Sequence, residues 1–278
     1  MSRHSASSAL ALGITGAAAI LASCGEASDP DSKSPDIALL EAESGFLYWV
    51  DAARCLTPCA GDPSAHLVTV GVDGMIDEAG AFRFEASAQP ALLQLIEGGT
   101  AAGHSVGVSS PFRSYPTQLE MWNAVTEIGR TARPGHSEHQ IGTAVDLAFQ
   151  TVEAERWLAD HAHEYGFALS FPPGTEKQTG IRYESWHYRY VGSEVAAETF
   201  AQSVSVAQYL RAHPELARFG DCRDCPSAES WQDCGALDAA GICEGDVLRW
   251  CLDGAAAAVD CTTTGLACTV EAGEANCR

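Results

Sequence analysis

Three short segments of this chain concentrate the side chains that could do chemistry. In Pro134-Gly-His-Ser-Glu-His-Gln-Ile-Gly-Thr-Ala-Val-Asp-Leu147, six residues separate His139 from Asp146, with Gly142 among them. In Gly180-Ile-Arg-Tyr-Glu-Ser-Trp-His-Tyr-Arg-Tyr190, Glu184 stands three residues before His187. In Ser109-Ser-Pro-Phe-Arg-Ser-Tyr-Pro-Thr-Gln118, Arg113 falls in a turn between an expected strand and an expected helix. Two imidazoles and one carboxylate form a zinc donor set that leaves a fourth position open. Zinc can lower the pKa of water toward neutrality. A neighbouring carboxylate can take that proton as general base and return it to a leaving amine. A fixed guanidinium can stabilise the oxyanion of a tetrahedral intermediate. The three segments contain one candidate for each of these roles.

These roles make demands on the elements that carry them. On a perfect strand, residues an odd number apart point to opposite faces, so Glu184 and His187 cannot both face one metal. The strand must begin after Glu184 or carry a bulge there. His139 and Asp146 pose the same problem, and Gly142 is where the chain can bend. The patterning over residues 37–212 mixes helices and strands in an α+β order. Helices are expected over Leu39–Ala52, from Pro90 to a stop at Gly98-Gly99, over Pro116–Arg130, after the capping residue Thr151, and over Glu194–Arg211. Leu119, Trp122, Val125 and Ile128 recur at helical spacing along the third of these. Strands are expected over His66–Val72, Ala81–Phe84, Ser105–Ser109, Thr143–Phe149, Phe167–Phe171 and Tyr183–Tyr190. Trp186, Tyr188 and Tyr190 are read as core packing, and His136 as lining the rim of the site.

Eleven cysteines and a net charge of −21 narrow the class further. An acidic chain lacks the basic surface that nucleic acid requires, so no nucleic-acid partner is expected. Arg3 and His4 precede an apolar run from Ala9 to Ala22, too short to span a membrane and shaped like a signal peptide. Leu21-Ala22-Ser23-Cys24 resembles a bacterial lipobox, which implies a signal peptide over residues 1–23, lipidation of Cys24 and a flexible tether over 24–36. The expected location is therefore the cell envelope, with the chain exported and lipid-anchored. Setting Cys24 aside leaves ten cysteines, an even number. Eight of them lie between Cys222 and Cys277, where glycine is frequent and helical periodicity is lost. Residues 220–278 thus read as a small disulfide-rich C-terminal domain. Cys55 and Cys59 could pair with each other or with Cys222 and Cys225.

The three chemical segments together resemble the VanY-type D-alanyl-D-alanine carboxypeptidases of the zinc peptidase family M15. The shared patterns are Ser110–Gln118, Ser137–Asp146 and Glu184–His187, within a region of similarity from about Leu92 to Gly192. The resemblance implies an antiparallel sheet flanked by helices, as in Hedgehog-like and D-Ala-D-Ala peptidase-like folds, over residues 37–212. It implies Zn2+ on His139, Asp146 and His187, Glu184 as general base, Arg113 at the scissile carbonyl, and Ser137 and Gln118 as substrate contacts. Ser185 and Phe112 depart from the family's usual Pro and Tyr and remove no essential group. The implied activity is hydrolysis of peptidoglycan stem peptides, releasing the terminal D-Ala of D-Ala-D-Ala. The competing reading is a non-catalytic, zinc-containing cell-wall-binding or adhesion lipoprotein.

Overall fold

A computed structural model describes residues 47–51, 54–56, 66–70, 82–125, 128–218, 234–252 and 255–278. Cys24, the leader, the tether, and Cys59, Cys222 and Cys225 lie outside the described residues. A two-stranded ribbon opens the described fold, with β1 (Leu67–Thr69) antiparallel to β2 (Arg83–Glu85). Helix α1 (Gln89–Ala101) follows, with Pro90 in its first turn, where its missing N–H costs nothing. Its stripe of Leu92, Leu95 and Ile96 is buried. The helix does not stop at Gly98-Gly99. A Cβ on Gly98 would come within 2.1 Å of the Tyr165 hydroxyl, and one on Gly99 within 2.7 Å of Val106 Cγ2. These glycines let helix and neighbours approach closely; they do not end the helix.

The central sheet has the order β3-β4-β6-β5, every pair antiparallel: β3 (Val106–Ser110), β4 (Ala144–Phe149), β6 (His187–Tyr190) and β5 (Phe167–Leu169). Alternation along each strand divides its two faces. Val145, Leu147 and Tyr188 join Phe84, Leu92, Leu95, Val106, Val108, Leu158 and Phe167 in the main core. Asp146, His187 and Arg189 are left on the opposite face. Between β4 and β5, α3 (Val152–His161) is capped by Thr151, whose hydroxyl accepts from the Ala154 N–H at 3.2 Å. Helix α2 (Tyr115–Ala124) precedes β4, but its stripe is not core. Leu119 and Trp122 are each 41% exposed, and the one buried residue of the helix is Gln118.

Two further expectations are corrected. Residues 47–51 are not helical: Tyr48 forms a parallel bridge with Arg218, and Leu216 and Ala217 pack on the second core beside it. The rest of the expected Leu39–Ala52 helix lies outside the described residues. The expected helix over 194–211 is two helices, α5 (Ser193–Gln202) and α6 (Val206–Ala212). Ser203 takes a left-handed conformation (φ 53°), and Ser205 with Gln208 forms a reciprocal capping box that starts α6 afresh.

The cysteine-rich region forms a sheet of β7 (Ile242–Glu244), β8 (Val247–Leu252) and β9 (Ala255–Asp260), beside a ribbon of β10 (Cys268–Glu271) and β11 (Glu274–Cys277). Three disulfides staple it: Cys234–Cys251, Cys243–Cys268 and Cys261–Cys277. Cys55 is also disulfide-bonded. Leu248, Trp250, Leu252, Ala257 and Val259 form the module's own small core. The module is also joined to the rest. The short helix α4 (Glu176–Thr179) receives the Trp250 indole N–H on the Lys177 carbonyl at 2.9 Å, and Lys177 Nζ donates to the Ala240 carbonyl at 3.0 Å. No helix among the described residues is long and apolar enough to cross a membrane.

Candidate active site

The sheet register assembles half of the site. Asp146 on β4 lies directly across from His187 on β6, so their side chains are neighbours on one face. His187 Nδ1 stands 3.1 Å from Asp146 Oδ1. β6 begins at His187, and residues 184–186 form a turn in which the His187 N–H donates to the Glu184 carbonyl at 3.2 Å. That late start resolves the parity conflict and brings a Glu184 oxygen to 3.8 Å from His187 Nδ1. His139 arrives on a 3-10 turn (Glu138–Ile141) that ends at Gly142, whose φ of 90° reverses the chain into β4. His139 Nε2 then lies 3.3 Å from Asp146 Oδ1. One potential ligand atom from each of His139, Asp146 and His187 falls within 4.8 Å of the others.

The hydrogen bonds around this cluster test whether a cation fits. His139 Nδ1 faces the Pro111 carbonyl at 2.7 Å, and a carbonyl only accepts, so Nδ1 carries the proton. Burial pushes the imidazole down to about 4, keeping it neutral. Its Nε2 lone pair is therefore buried without a hydrogen-bond donor and aimed at a carboxylate oxygen. Two acceptors facing each other in the interior are unfavourable unless a cation stands between them. Two ligands about 2.1 Å from a tetrahedral centre are about 3.4 Å apart, close to the observed 3.1 and 3.3 Å. The three residues fit a zinc-like ion.

Behind the cluster lies a buried ionic chain that the sequence reading missed. Glu138 Oε2 meets His187 Nε2 at 3.0 Å, and Glu138 Oε1 accepts from Arg189 at 3.0 Å. Burial opposes charge on Glu138, but Arg189 and His187 outweigh it and hold the carboxyl down at about 2. Burial likewise opposes charge on Asp146, and the two imidazoles hold it well below the carboxylate range. Burial would lower His187, yet its bonds to Asp146 and Glu138 raise it to about 9. The available signal was parity: Arg189, two residues beyond His187 on a strand, had to share its face and needed an anion there.

The remaining candidates divide. Glu184 is buried beside the cluster, and burial, reinforced by Asp146, pushes its carboxyl up to about 7 against the pull of His187. Arg113 lines the same cleft; burial lowers its pKa, and Asp146 and Glu184 act against that. Its backbone N–H donates to the His139 carbonyl at 3.2 Å, and its side chain contacts Met121 Sδ. Ser137 lines the cleft although it is almost wholly buried. Gln118 is 0% exposed, and its amide donates to Thr131 Oγ1 at 3.1 Å and to the Ala132 carbonyl at 2.6 Å. It clamps the loop beside the cleft from within. His136 lines the cleft although it is buried, with Nδ1 bonded to the Asp51 carbonyl at 2.6 Å. Tyr188 is core, while Trp186 lines the cleft.

Residues 82–193 match the family of D-alanyl-D-alanine carboxypeptidases (VanY). A D-alanyl-D-alanine carboxypeptidase of Enterococcus faecalis is 38% identical over 98 residues, covering 34% of this chain and 34% of that protein. A putative carboxypeptidase of Bacillus subtilis, YodJ, is 31% identical over 141 residues, 44% of this chain and 52% of its own length. The chain thus spans about half or less of the curated relatives it matches. Among solved structures, the LdcB LD-carboxypeptidase superposes with TM-score 0.54 at 26% identity, covering 61% of this chain and 87% of that one. A vancomycin-resistance D,D-pentapeptidase VanY, a mutant form in complex with Zn(II), superposes with TM-score 0.51 at 27% identity, covering 60% and 99%.

Proposed function

We propose that this chain, whose residues 82–193 carry a VanY-family domain, is a zinc metallopeptidase that removes the terminal D-Ala from peptidoglycan stem peptides. The observation that carries the reading is the convergence of His139 Nε2, Asp146 Oδ1 and His187 Nδ1 beside the Glu184 carboxyl in one cleft. His139, Asp146 and His187 would hold the ion, which when bound supplies Lewis acidity to the reacting carbonyl and water. Glu184 is the base. A buried carboxyl pushed up to about 7 is matched to neutral pH, able to accept the proton of an attacking water and to deliver it to the departing amino group. Arg113, with its backbone tied to the His139 carbonyl, presents a guanidinium to the same cleft. There it can offset the charge that develops on the scissile carbonyl oxygen. Pro111 fixes the proton of His139 and Glu138 fixes the orientation of His187, so each imidazole turns one nitrogen to the cluster. The apolar leader and the lipobox-like Leu21–Cys24 support export and lipid anchoring at Cys24, which would hold the enzyme in the cell envelope near its substrate.

Mass spectrometry of a pentapeptide ending in D-Ala-D-Ala, incubated with zinc-loaded protein, tests the reading. Loss of one alanine is expected, and a chelator should block it. Glu184→Gln is expected to lower kcat at least about 100-fold while zinc stays bound. An intact peptide with zinc bound would reject the peptidase and leave a wall-binding protein.

A further inference from the structure

We propose that the cysteine-rich module forms the outer wall of the substrate cleft and, through Arg249, binds the extended, carboxylate-bearing part of the peptide that remains after cleavage. The inference rests on the peptidase reading above. The cleft around the cluster has a volume of about 1140 Å3, beyond the range of about 300–1,000 Å3 that accommodates a drug-sized molecule. A single leaving alanine occupies a small part of it, so most of the cleft is available to the rest of the substrate.

Two walls meet there. One is the stripe of α2 and the turn after it, where Leu119, Trp122 and Ile128 are exposed at helical spacing and line the cleft. The other belongs to the module, whose Arg249 and Ala256–Ala258 line the same cleft. The strand register explains how the module presents them. Arg249 pairs with Ala258, and Cys251 with Ala256, on the face opposite to the module's core residues Leu248, Trp250 and Val259. Alanines beside an arginine leave a shallow shelf next to its guanidinium. Glu244 Oε2 forms an ion pair with Arg249, 2.7 Å from Nε. The shelf is fixed to the catalytic part by the Trp250–Lys177 and Lys177–Ala240 bonds. It also lies close to Gly129, where a Cβ would come within 3.2 Å of the Ala258 carbonyl oxygen.

Charge selects the occupant. The chain carries 37 acidic and 16 basic residues, yet the charged residue that the module contributes to the lining is Arg249. An arginine at the cleft wall of an otherwise acidic protein favours an anionic segment and disfavours a basic one.

The test uses the zinc-loaded full chain and two pentapeptides ending in D-Ala-D-Ala, identical except for Glu or Gln at the second position. Wild type is expected to show a higher kcat/KM for the Glu peptide, most clearly at low salt. Arg249→Glu is expected to shift the Glu-to-Gln ratio by about tenfold toward Gln. Ala258→Phe, which fills the shelf without changing charge, is expected to raise KM for both pentapeptides relative to N-acetyl-D-Ala-D-Ala. An unchanged Glu-to-Gln ratio in Arg249→Glu, or an equal loss on long and short substrates in Ala258→Phe, overturns the proposal. If wild type cleaves none of these peptides, the peptidase reading fails. The subsite is then judged by calorimetric binding of the same two pentapeptides, where the Glu preference and its loss in Arg249→Glu are still required.

Discussion

His187 is gripped from both sides, by Asp146 on Nδ1 and by Glu138 on Nε2, while Arg189 beneath steadies Glu138. A carboxylate behind a ligand imidazole fixes its tautomer and raises its basicity, and losing it costs about 10–100-fold in metal affinity. Glu138→Gln keeps the shape and removes the charge, so zinc affinity measured by chelator competition is expected to fall within that range. An unchanged affinity would make Glu138 a packing residue only. The resemblance, together with donor types, singled out His139, Asp146, His187, Glu184 and Arg113, and the fold brings all five to one cleft. Glu138 was hidden because it looks like a linker between Ser137 and His139 until the turn rotates it under His187. Gln118, whose matched position suggested a substrate contact, is buried, with its amide nitrogen on Thr131 and Ala132 and its Oε1 without a hydrogen-bond partner.

Elements were legible where one interaction dominated. β3 and β4 fall within a residue of the expected Ser105–Ser109 and Thr143–Phe149, and the Thr151 cap marks the start of α3. The errors came where local propensity met a tertiary contact. Gly98-Gly99 reads locally as a stop, but Trp157, Tyr165 and Val106 need the space that missing side chains provide. The helix expected over Pro116–Arg130 ends at Ala124, and its apolar stripe faces the cleft. Gly99 offers a clean test because two effects oppose each other. Alanine gains roughly 0.5–1 kcal/mol of helix preference over glycine. Its Cβ would meet Val106 Cγ2 at 2.7 Å and Trp157 at 3.3 Å. Val106 is a buried, β-branched strand residue that cannot swing aside, and overpacking costs about 1–3 kcal/mol. Gly99→Ala is therefore expected to destabilise by about 1 kcal/mol net, lowering Tm by a few degrees. A stabilised variant would show that Val106 yields.

Across the whole molecule, the buried charges tie stability to pH and to the metal. Glu138, held at about 2, contributes stability that is present above its unfolded value near 4.5 and is lost as pH falls toward 2. His187, held up at about 9, contributes stability that is present below its unfolded value near 6.5 and is lost as pH rises through 9. Glu184, raised to about 7, disfavours the folded state as pH climbs from 4.5 to 7. These three groups thus cost the metal-free protein stability below about pH 4.5 through Glu138, above about 4.5 through Glu184 and above about 6.5 through His187. A bound ion replaces the proton on His187, so binding releases it. Between pH 6.5 and 9 each unit of pH should strengthen binding by up to about 1.4 kcal/mol, while the metal-free form weakens. The rise in Tm on adding excess zinc should therefore be several degrees larger at pH 8.5 than at pH 6.5. Calorimetry at pH 7 in buffers of different ionisation enthalpy should register the released proton. A zinc-induced shift that is flat or smaller at pH 8.5 would mean that zinc displaces no proton from a His187 held up at about 9.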